Sequence, residues 1–296
     1  MPRFGRIMSA IVTPFDAAGA VDLDLAQRLA RHLVSEGHDG FVVCGTTGES
    51  PTLSDDEKLS MIAAVVEAVD VPVIAGTVGN DTAHSAELSR QAAKLGAHGI
   101  LSLCPYYSRP GQAGIEAHFR AIAEACELPQ IIYDIPIRTG RKVATDVLVR
   151  LAHEVPNIVG IKDAAGNPGE TARLIAAAPD DFEVYSGDDG LTLPLLSVGA
   201  VGVIGVATHW TGLDHAEMFD AWERGDVAGA RRANARMLPS FAFETGDLAP
   251  NPIPTKAMLR TLGFTVGECR LPLGPAPDGL EDRAREVHAE LVAARG

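Results

Sequence analysis

Eight short apolar runs recur along the 296-residue chain, most of them separated by stretches of helical character, and few folds accommodate such a rhythm. The runs are Ser9–Val12, Gly40–Cys44, Val73–Gly76, Gly99–Leu103, Gln130–Tyr133, Val159–Lys162, Phe182–Ser186 and Val201–Ile204. They lack the polar alternation of a strand with one wet face, so both faces are expected to be covered, as in a parallel sheet. Between them lie helical patterns such as Asp24–Glu36, Asp55–Val69, Thr82–Leu95 and Ile115–Cys126, several opened by Ser, Thr or Asp caps. Eight βα units close naturally into a (β/α)8 TIM barrel. An open doubly wound sheet is the alternative, but its nucleotide-binding versions lack their phosphate cradle here. No GxGxxG follows the first run and no GxxxxGK[ST] occurs anywhere. After the eighth run only helical patterns remain, over Leu213–Arg224, Val227–Leu238, Pro254–Leu262 and Glu281–Ala294, with Pro250–Pro254 as a rigid bend. The expected division is a barrel over residues 1–224 and a C-terminal helical region over 225–296, packed on the barrel or holding subunits together.

Charge and cysteine usage exclude several functions. A net charge of −14 argues against a nucleic-acid or anionic-membrane partner, since either would need a basic face. Cys44, Cys104, Cys126 and Cys269 are scattered without a CxxC pair, so neither a zinc site nor a disulfide framework is expected. No cationic apolar leader and no uninterrupted apolar run of about 18 residues mark export or membrane insertion, so a cytoplasmic protein is expected.

A barrel of this kind works at the carboxyl ends of its strands. There the sixth run ends in Lys162, carried out of the β-branched Ile158-Val159-Gly160-Ile161 and followed by the turn-forming Ala164–Asn167. Burial disfavours an ammonium ion, so such a lysine can present a free amine near neutral pH and condense with a ketone. The chain has only five lysines beside twenty arginines, and Lys58, Lys94, Lys142 and Lys256 each have an ordinary solvated explanation in sequence. Lys162 is thus the candidate nucleophile. The second run is followed by Gly45-Thr46-Thr47-Gly48-Glu49-Ser50, whose backbone N–H groups suit a carboxylate and whose threonines can pass protons. Tyr106 and Tyr107 follow the fourth run and Tyr133 closes the fifth, placing three of four tyrosines at one expected mouth as candidate proton carriers. Arg138, in a loop stiffened by Pro136, is a candidate clamp for a substrate carboxylate. Gly187 and the Gly202–Gly205 segment would let a small ligand approach the backbone.

With these residues in view, the sequence resembles the dihydrodipicolinate synthases, among the pyruvate-dependent class I aldolases that also include N-acetylneuraminate lyase. The resemblance runs from Ile11-Val12-Thr13-Pro14-Phe15 to Leu271-Pro272-Leu273, through GTTGES, PYYSRP, YDIPIRTG, GIKDAAGN, YSGDD and NPIPTK. It implies a (β/α)8 barrel with a helical carboxyl-terminal region, and a Schiff base between Lys162 and pyruvate. It further implies Tyr133 as proton donor and acceptor, a relay completed by Thr46 and Tyr107, and contacts of Thr47 and Ile204 with pyruvate. The equivalent of Tyr107 typically reaches in from a neighbouring subunit, and a homotetramer is usual. The expected reaction condenses pyruvate with L-aspartate 4-semialdehyde, in diaminopimelate and lysine biosynthesis, with no metal or organic cofactor. Arg138 would select the aldehyde through its carboxylate.

Some positions depart from the common pattern. Ile137 stands where a small residue often precedes the arginine, and Asp134 replaces a frequent asparagine. Feedback-inhibited relatives form a lysine pocket with histidines and a glutamate, and the matching positions here are Asp55, Lys58 and His84. A cationic Lys58 should repel the ammonium of lysine, so weak or absent inhibition is expected. Ser50, Asn80 and Tyr106 still match that pocket. Two rival readings are a sister aldolase cleaving N-acetylneuraminate or a 2-keto-3-deoxy sugar acid, and a pyruvate-binding sensor without turnover. Arg138 argues against the first, and the intact set of Lys162, Tyr133, Thr46 and Tyr107 against the second.

Overall fold

The sheet closes on itself. In the computed structural model, which describes residues 1–246 and 249–295, eight parallel strands pair in sequence order and β8 returns to β1. They are β1 (Ile7–Ala10), β2 (Gly40–Val43), β3 (Val73–Ala75), β4 (Gly99–Leu103), β5 (Gln130–Asp134), β6 (Ile158–Asp163), β7 (Glu183–Ser186) and β8 (Gly202–Gly205). The helices between them are α1 (Leu23–Ser35), α2 (Asp55–Ala68), α3 (Thr82–Lys94), α4 (Gln112–Ala125), the single-turn α5 (Pro136–Thr139), α6 (Thr145–Glu154), α7 (Pro168–Ala177) and α8 (Thr192–Leu196). After β8 come α9 (Thr208–Glu223), α10 (Val227–Glu244), α11 (Ile253–Thr261) and α12 (Leu280–Ala293). The expected TIM barrel with a C-terminal helical region is therefore the fold. Among the described residues, no helix is long and apolar enough to cross a membrane.

The strands were legible because burial is two-sided. Inward-facing Met8, Ala10, Val42, Ile74, Leu101, Ile131, Tyr133, Tyr185 and Ile204 fill the barrel as one cluster. Their outward neighbours Phe41, Val43, Val73 and Ile100 pack with Leu25, Leu29, Met61 and Val65 of α1 and α2. On the opposite side Ile132, Ile161 and Val184 meet Phe119, Leu148 and Leu174. Caps fix the helix starts, as in α2, where Ser54 and Glu57 exchange side-chain-to-backbone hydrogen bonds of 3.2 and 2.9 Å.

Two expectations need correction. The helix expected to stop at Leu238 continues through Pro239 to Glu244. Proline inside a helix is costly, but here the extra turns are held by tertiary contacts. Ser240 accepts a 2.9 Å bond from the Trp210 indole, and Phe241 is buried. The extension carries Glu244 to the barrel mouth. The second correction concerns Lys256, which is fully buried rather than solvated. Its Nζ lies 2.6 Å from Glu49 Oε1 and 4.1 Å from the centroid of the Phe15 ring. Burial lowers the Lys256 pKa, with the charge of Glu49 working against it.

Breaking this pair should leave an unmatched charge in the interior, at a cost of about 3–5 kcal/mol. Lys256→Met is expected to lose that much unfolding free energy in denaturant titrations, and adding Glu49→Gln to recover a large part of it. A single variant within about 0.5 kcal/mol of the parent would show that the pair is energetically idle.

Candidate active site

Strand register places the reactive groups. Lys162 on β6 pairs with Tyr133 on β5 and with Tyr185 on β7. Residues in register on neighbouring parallel strands share a face, so Lys162 and Tyr133 both point into the barrel near its carboxyl end. The Lys162 side chain is 3% exposed, and Nζ sits 4.5 Å from the centre of the Tyr133 ring. Burial is the largest influence on this amine and draws its pKa from 10.5 to about 8. The charges of Asp189 and Glu244 oppose the shift, and that of Arg138 assists it. A substantial fraction of Lys162 is thus free amine in mildly alkaline solution, as nucleophilic addition to a ketone requires.

Tyr133 is buried in the same cleft, and burial pushes its hydroxyl up to about 12. Arg138 and a hydrogen bond with Thr46 pull it back, while Glu244 and Asp188 push it further up. The group is a phenol at neutral pH, able to give a proton and, through Thr46, to pass one on. Thr47 Oγ1 accepts a 3.0 Å bond from the side-chain amide of Asn251, on the far side of the cleft. The loop bearing both threonines depends on Glu49, a non-glycine residue at φ 56° that is held by Lys256 and by the backbone N–H of Arg270 at 2.8 Å.

The cleft is lined by Thr46, Thr47, Tyr133, Arg138, Lys162 and Gly187, six of the eight residues expected from the sequence. Arg138 stands on α5, its side chain open to solvent at the rim. Ile204 is instead packed within the barrel in the cluster that holds Tyr133, at 0% exposure. Tyr107 of the same chain is not brought in: it lies in the loop after β4, 91% exposed and in left-handed backbone at φ 65°. Its neighbour Tyr106 lines an adjoining cavity that shares Thr46 and Tyr133 with the cleft. Ser50, Lys58, Asn80 and His84 line that second cavity, and Asp55 reaches His84 Nε2 at 2.7 Å and Lys58 Nζ at 3.7 Å.

Sequence reasoning missed Glu244 and Asn251 as cleft residues. Glu244 was hidden by the expectation that the helix ends at Leu238, before Pro239, and Asn251 was read only as part of a stiff bend. The NPIPTK match was the signal available for Asn251, since it follows no strand and has no other reason to be at the mouth.

Gly187 has a physical requirement. A Cβ there would stand 2.9 Å from Lys162 Cγ and 3.0 Å from Ala164 Cβ. Gly187→Ala is therefore expected to displace the Lys162 side chain and slow reductive trapping with a small 2-keto acid about tenfold to a hundredfold. Unaltered trapping would show that Lys162 has room to spare.

Comparison with known proteins agrees with this geometry. The family model described as the dihydrodipicolinate synthetase family matches residues 3–293. A 4-hydroxy-tetrahydrodipicolinate synthase from Symbiobacterium thermophilum is 50% identical over 293 residues, covering 98% of this chain and 99% of that protein. One from Parasynechococcus marenigrum is also 50% identical, covering 97% and 95%. Among solved structures, the lysine-bound enzyme of Cyanidioschyzon merolae superposes with a TM-score of 0.96 at 42% identity, covering 99% of each chain. The dihydrodipicolinate synthase of Bacillus anthracis gives 0.94 at 40% identity, with 98% and 99% covered. A barrel that holds a buried lysine against a tyrosine in this way, matched over nearly its whole length, belongs to the dihydrodipicolinate synthetase family.

Proposed function

We propose that the chain is a Schiff-base-forming lyase that condenses pyruvate with L-aspartate 4-semialdehyde, the synthase activity for which its relatives are named. The observation that carries this reading is the buried amine of Lys162, held against Tyr133 in a cleft whose rim bears Arg138. The sister-aldolase alternative asks for neutral hydrogen-bonding groups where this cleft has a guanidinium.

In this reading Lys162 Nζ adds to the ketone carbon of pyruvate, and loss of water leaves an iminium that acidifies the methyl group. Tyr133, its own proton passed to Thr46 and along the relay, takes a methyl proton, and the enamine attacks the aldehyde carbon of the second substrate. That substrate's own amine displaces Lys162 by transimination and closes the ring. Thr47 and Ile204 would bound the pyruvate, Gly187 would leave it space, and Arg138 would hold the carboxylate of the semialdehyde. Tyr107 completes the relay from a second copy of the chain. Its exposure, together with Ile137 at 90% exposed, gives the mouth an apolar rim of the kind that subunit contacts cover. The reading includes a homotetramer, built as a dimer of dimers, in the cytoplasm. It also takes residues 1–224 as the catalytic barrel and 225–296 as a helical region that secures the mouth.

The test is pyruvate consumption by the pure protein with and without the semialdehyde. A semialdehyde-dependent rate that disappears in Lys162→Ala is expected, and a rate surviving in that variant would end the assignment. Arg138→Ala should lower kcat/KM for the semialdehyde about tenfold to a hundredfold, the value of roughly 1.5–3 kcal/mol for a charged hydrogen-bonded contact. Loss confined to pyruvate would move the arginine to the other substrate.

The second cavity leads to a separate expectation. Lys58 places an ammonium in it, and among the described residues Asp55, at 3.7 Å, is the carboxylate in ion-pair contact with it. Lysine should therefore inhibit weakly or not at all, and half-inhibition by submillimolar lysine in a steady-state titration would refute this.

A further inference from the structure

Three carboxyl groups crowd together near Lys162, Asp188 and Glu244 on the wall of the cleft and Asp189 behind them. Asp188 and Asp189 follow β7, and Glu244 comes from the last turn of α10. Glu244 lines the cleft with Lys162 and is 7% exposed, and among the described residues its Oε2 has no hydrogen-bond partner. Asp189 is 2% exposed; its Oδ2 accepts a 2.9 Å bond from the Val206 N–H, and its Oδ1 is also without a partner. An unpartnered carboxylate at such depth is costly, whereas a protonated carboxyl is less so.

The charges around Glu244 come from every neighbouring element. Asp189 and Asp188 press on it from the turn after β7, Lys162 from β6 and Arg138 from α5. His215 on α9 faces Asp189 and packs its ring against Phe241, one turn before Glu244. Burial and the two aspartates raise the Glu244 pKa well above the ordinary carboxyl value, with Lys162 and Arg138 acting in the opposite direction. Tyr133, a phenol up to about pH 12, supplies no negative charge here. The chemistry at Lys162, by contrast, needs a cation, because only the protonated imine withdraws electrons strongly enough to acidify the neighbouring methyl group, and a lysine ketimine is a weaker base than the amine it came from.

We propose that Glu244 is a further functional residue of this reaction, a carboxylic acid while Lys162 is free and the carboxylate counter-ion of the iminium once Lys162 has condensed with a 2-keto acid. The inference rests on the reading of Lys162 as the imine-forming group. In the dehydration step the Nζ lone pair forms the C=N bond as the carbinolamine C–O bond breaks. The departing hydroxyl takes the proton of Glu244 and leaves as water. When transimination or hydrolysis releases Lys162, the proton returns to Glu244. Charge in the cleft is then conserved at each stage, which a fixed neutral residue could not achieve.

Proton counting distinguishes this from a structural role. Imine formation with pyruvate is followed in weak buffer with an indicator dye, in the parent and in Glu244→Gln, the isostere that cannot ionise. The parent is expected to release about one proton more per imine than Glu244→Gln, by linkage. Above the Lys162 pKa of about 8, the imine equilibrium of the parent should stay level with pH. That of Glu244→Gln should fall with pH, by about tenfold per pH unit for as long as its imine stays protonated, because that proton must come from solvent. Glu244→Asp, which keeps an ionisable group, should restore the extra proton if the glutamine variant is poorly folded. Equal proton counts and parallel pH profiles in the parent and Glu244→Gln would overturn the proposal while leaving the imine at Lys162 intact. The same extra proton vanishing in Asp189→Asn but not in Glu244→Gln would also overturn it, by making Asp189 the counter-ion. No trappable pyruvate imine in the parent would instead defeat the functional reading and this inference together.

Discussion

The site depends on keeping one amine out of water. Drawing the Lys162 pKa from 10.5 to about 8 costs the fold about 3 kcal/mol whenever the group is charged. Because the folded pKa is the lower one, the unfolded chain binds more protons between those values, so stability from this group rises with pH across that window. Below about pH 8 the full cost is present. The apolar filling of the barrel makes it bearable. Ile131, Tyr133, Tyr185 and Ile204 surround the strand ends with a rigid interior, and Gly187 yields the volume the lysine stem occupies. A looser or wetter mouth would restore the ammonium and lose the nucleophile.

The helical region after β8 is tied into that mouth rather than hung on the outside. Asn251 holds Thr47, Lys256 holds Glu49, and the backbone of Arg270 holds the other oxygen of the same glutamate. Phe15, from the loop after β1, has the Lys256 ammonium 4.1 Å and the Arg270 guanidinium 4.4 Å from its ring centre. Cations over an aromatic face are favourable when desolvated. The second βα loop thus has its left-handed Glu49 and its Thr47 held by contacts from more than 200 residues later in the chain. Catalytic geometry of this kind needs rigid support from residues that never touch substrate.

This explains what could be read in advance. The barrel was legible because its strands are apolar on both faces, a pattern no exposed sheet would show, and Lys162 was legible because it interrupts one of them. Six expected cleft residues followed from strand ends alone. Lys256 was misread because its neighbours Pro254 and Thr255 look like loop chemistry, whereas its partner Glu49 is remote in sequence. Glu244 was missed because local rules end a helix at Pro239, and only packing of Ser240 and Phe241 under α9 overrides them. Tyr107 shows the converse case: the sequence marks it, yet within one chain it stands exposed, outside the residues that line the cleft. Local chemistry is visible in a sequence, while pairings across the mouth are set by tertiary contacts.

The charge balance at the cleft follows from the same crowding. The chain is acidic overall, yet the reaction it is read to perform takes two substrates that each carry a carboxylate. Among the described residues, Lys162 and Arg138 are the cations lining the cleft, against Asp188 and Glu244 on its wall and Asp189 behind them. Three ionised carboxyls would outweigh Arg138 and Lys162 even with the lysine charged, and would repel pyruvate from the amine it must meet. A protonated Glu244 removes that excess before the substrate binds. Its ionisation after imine formation would return the negative charge when a cation is present to receive it. Electrostatic stabilisation is most effective where charge develops during the reaction rather than before it. The crowded carboxyls, which alone would look like a defect in a buried site, are then the means by which one cleft attracts an anion and later shelters a cation.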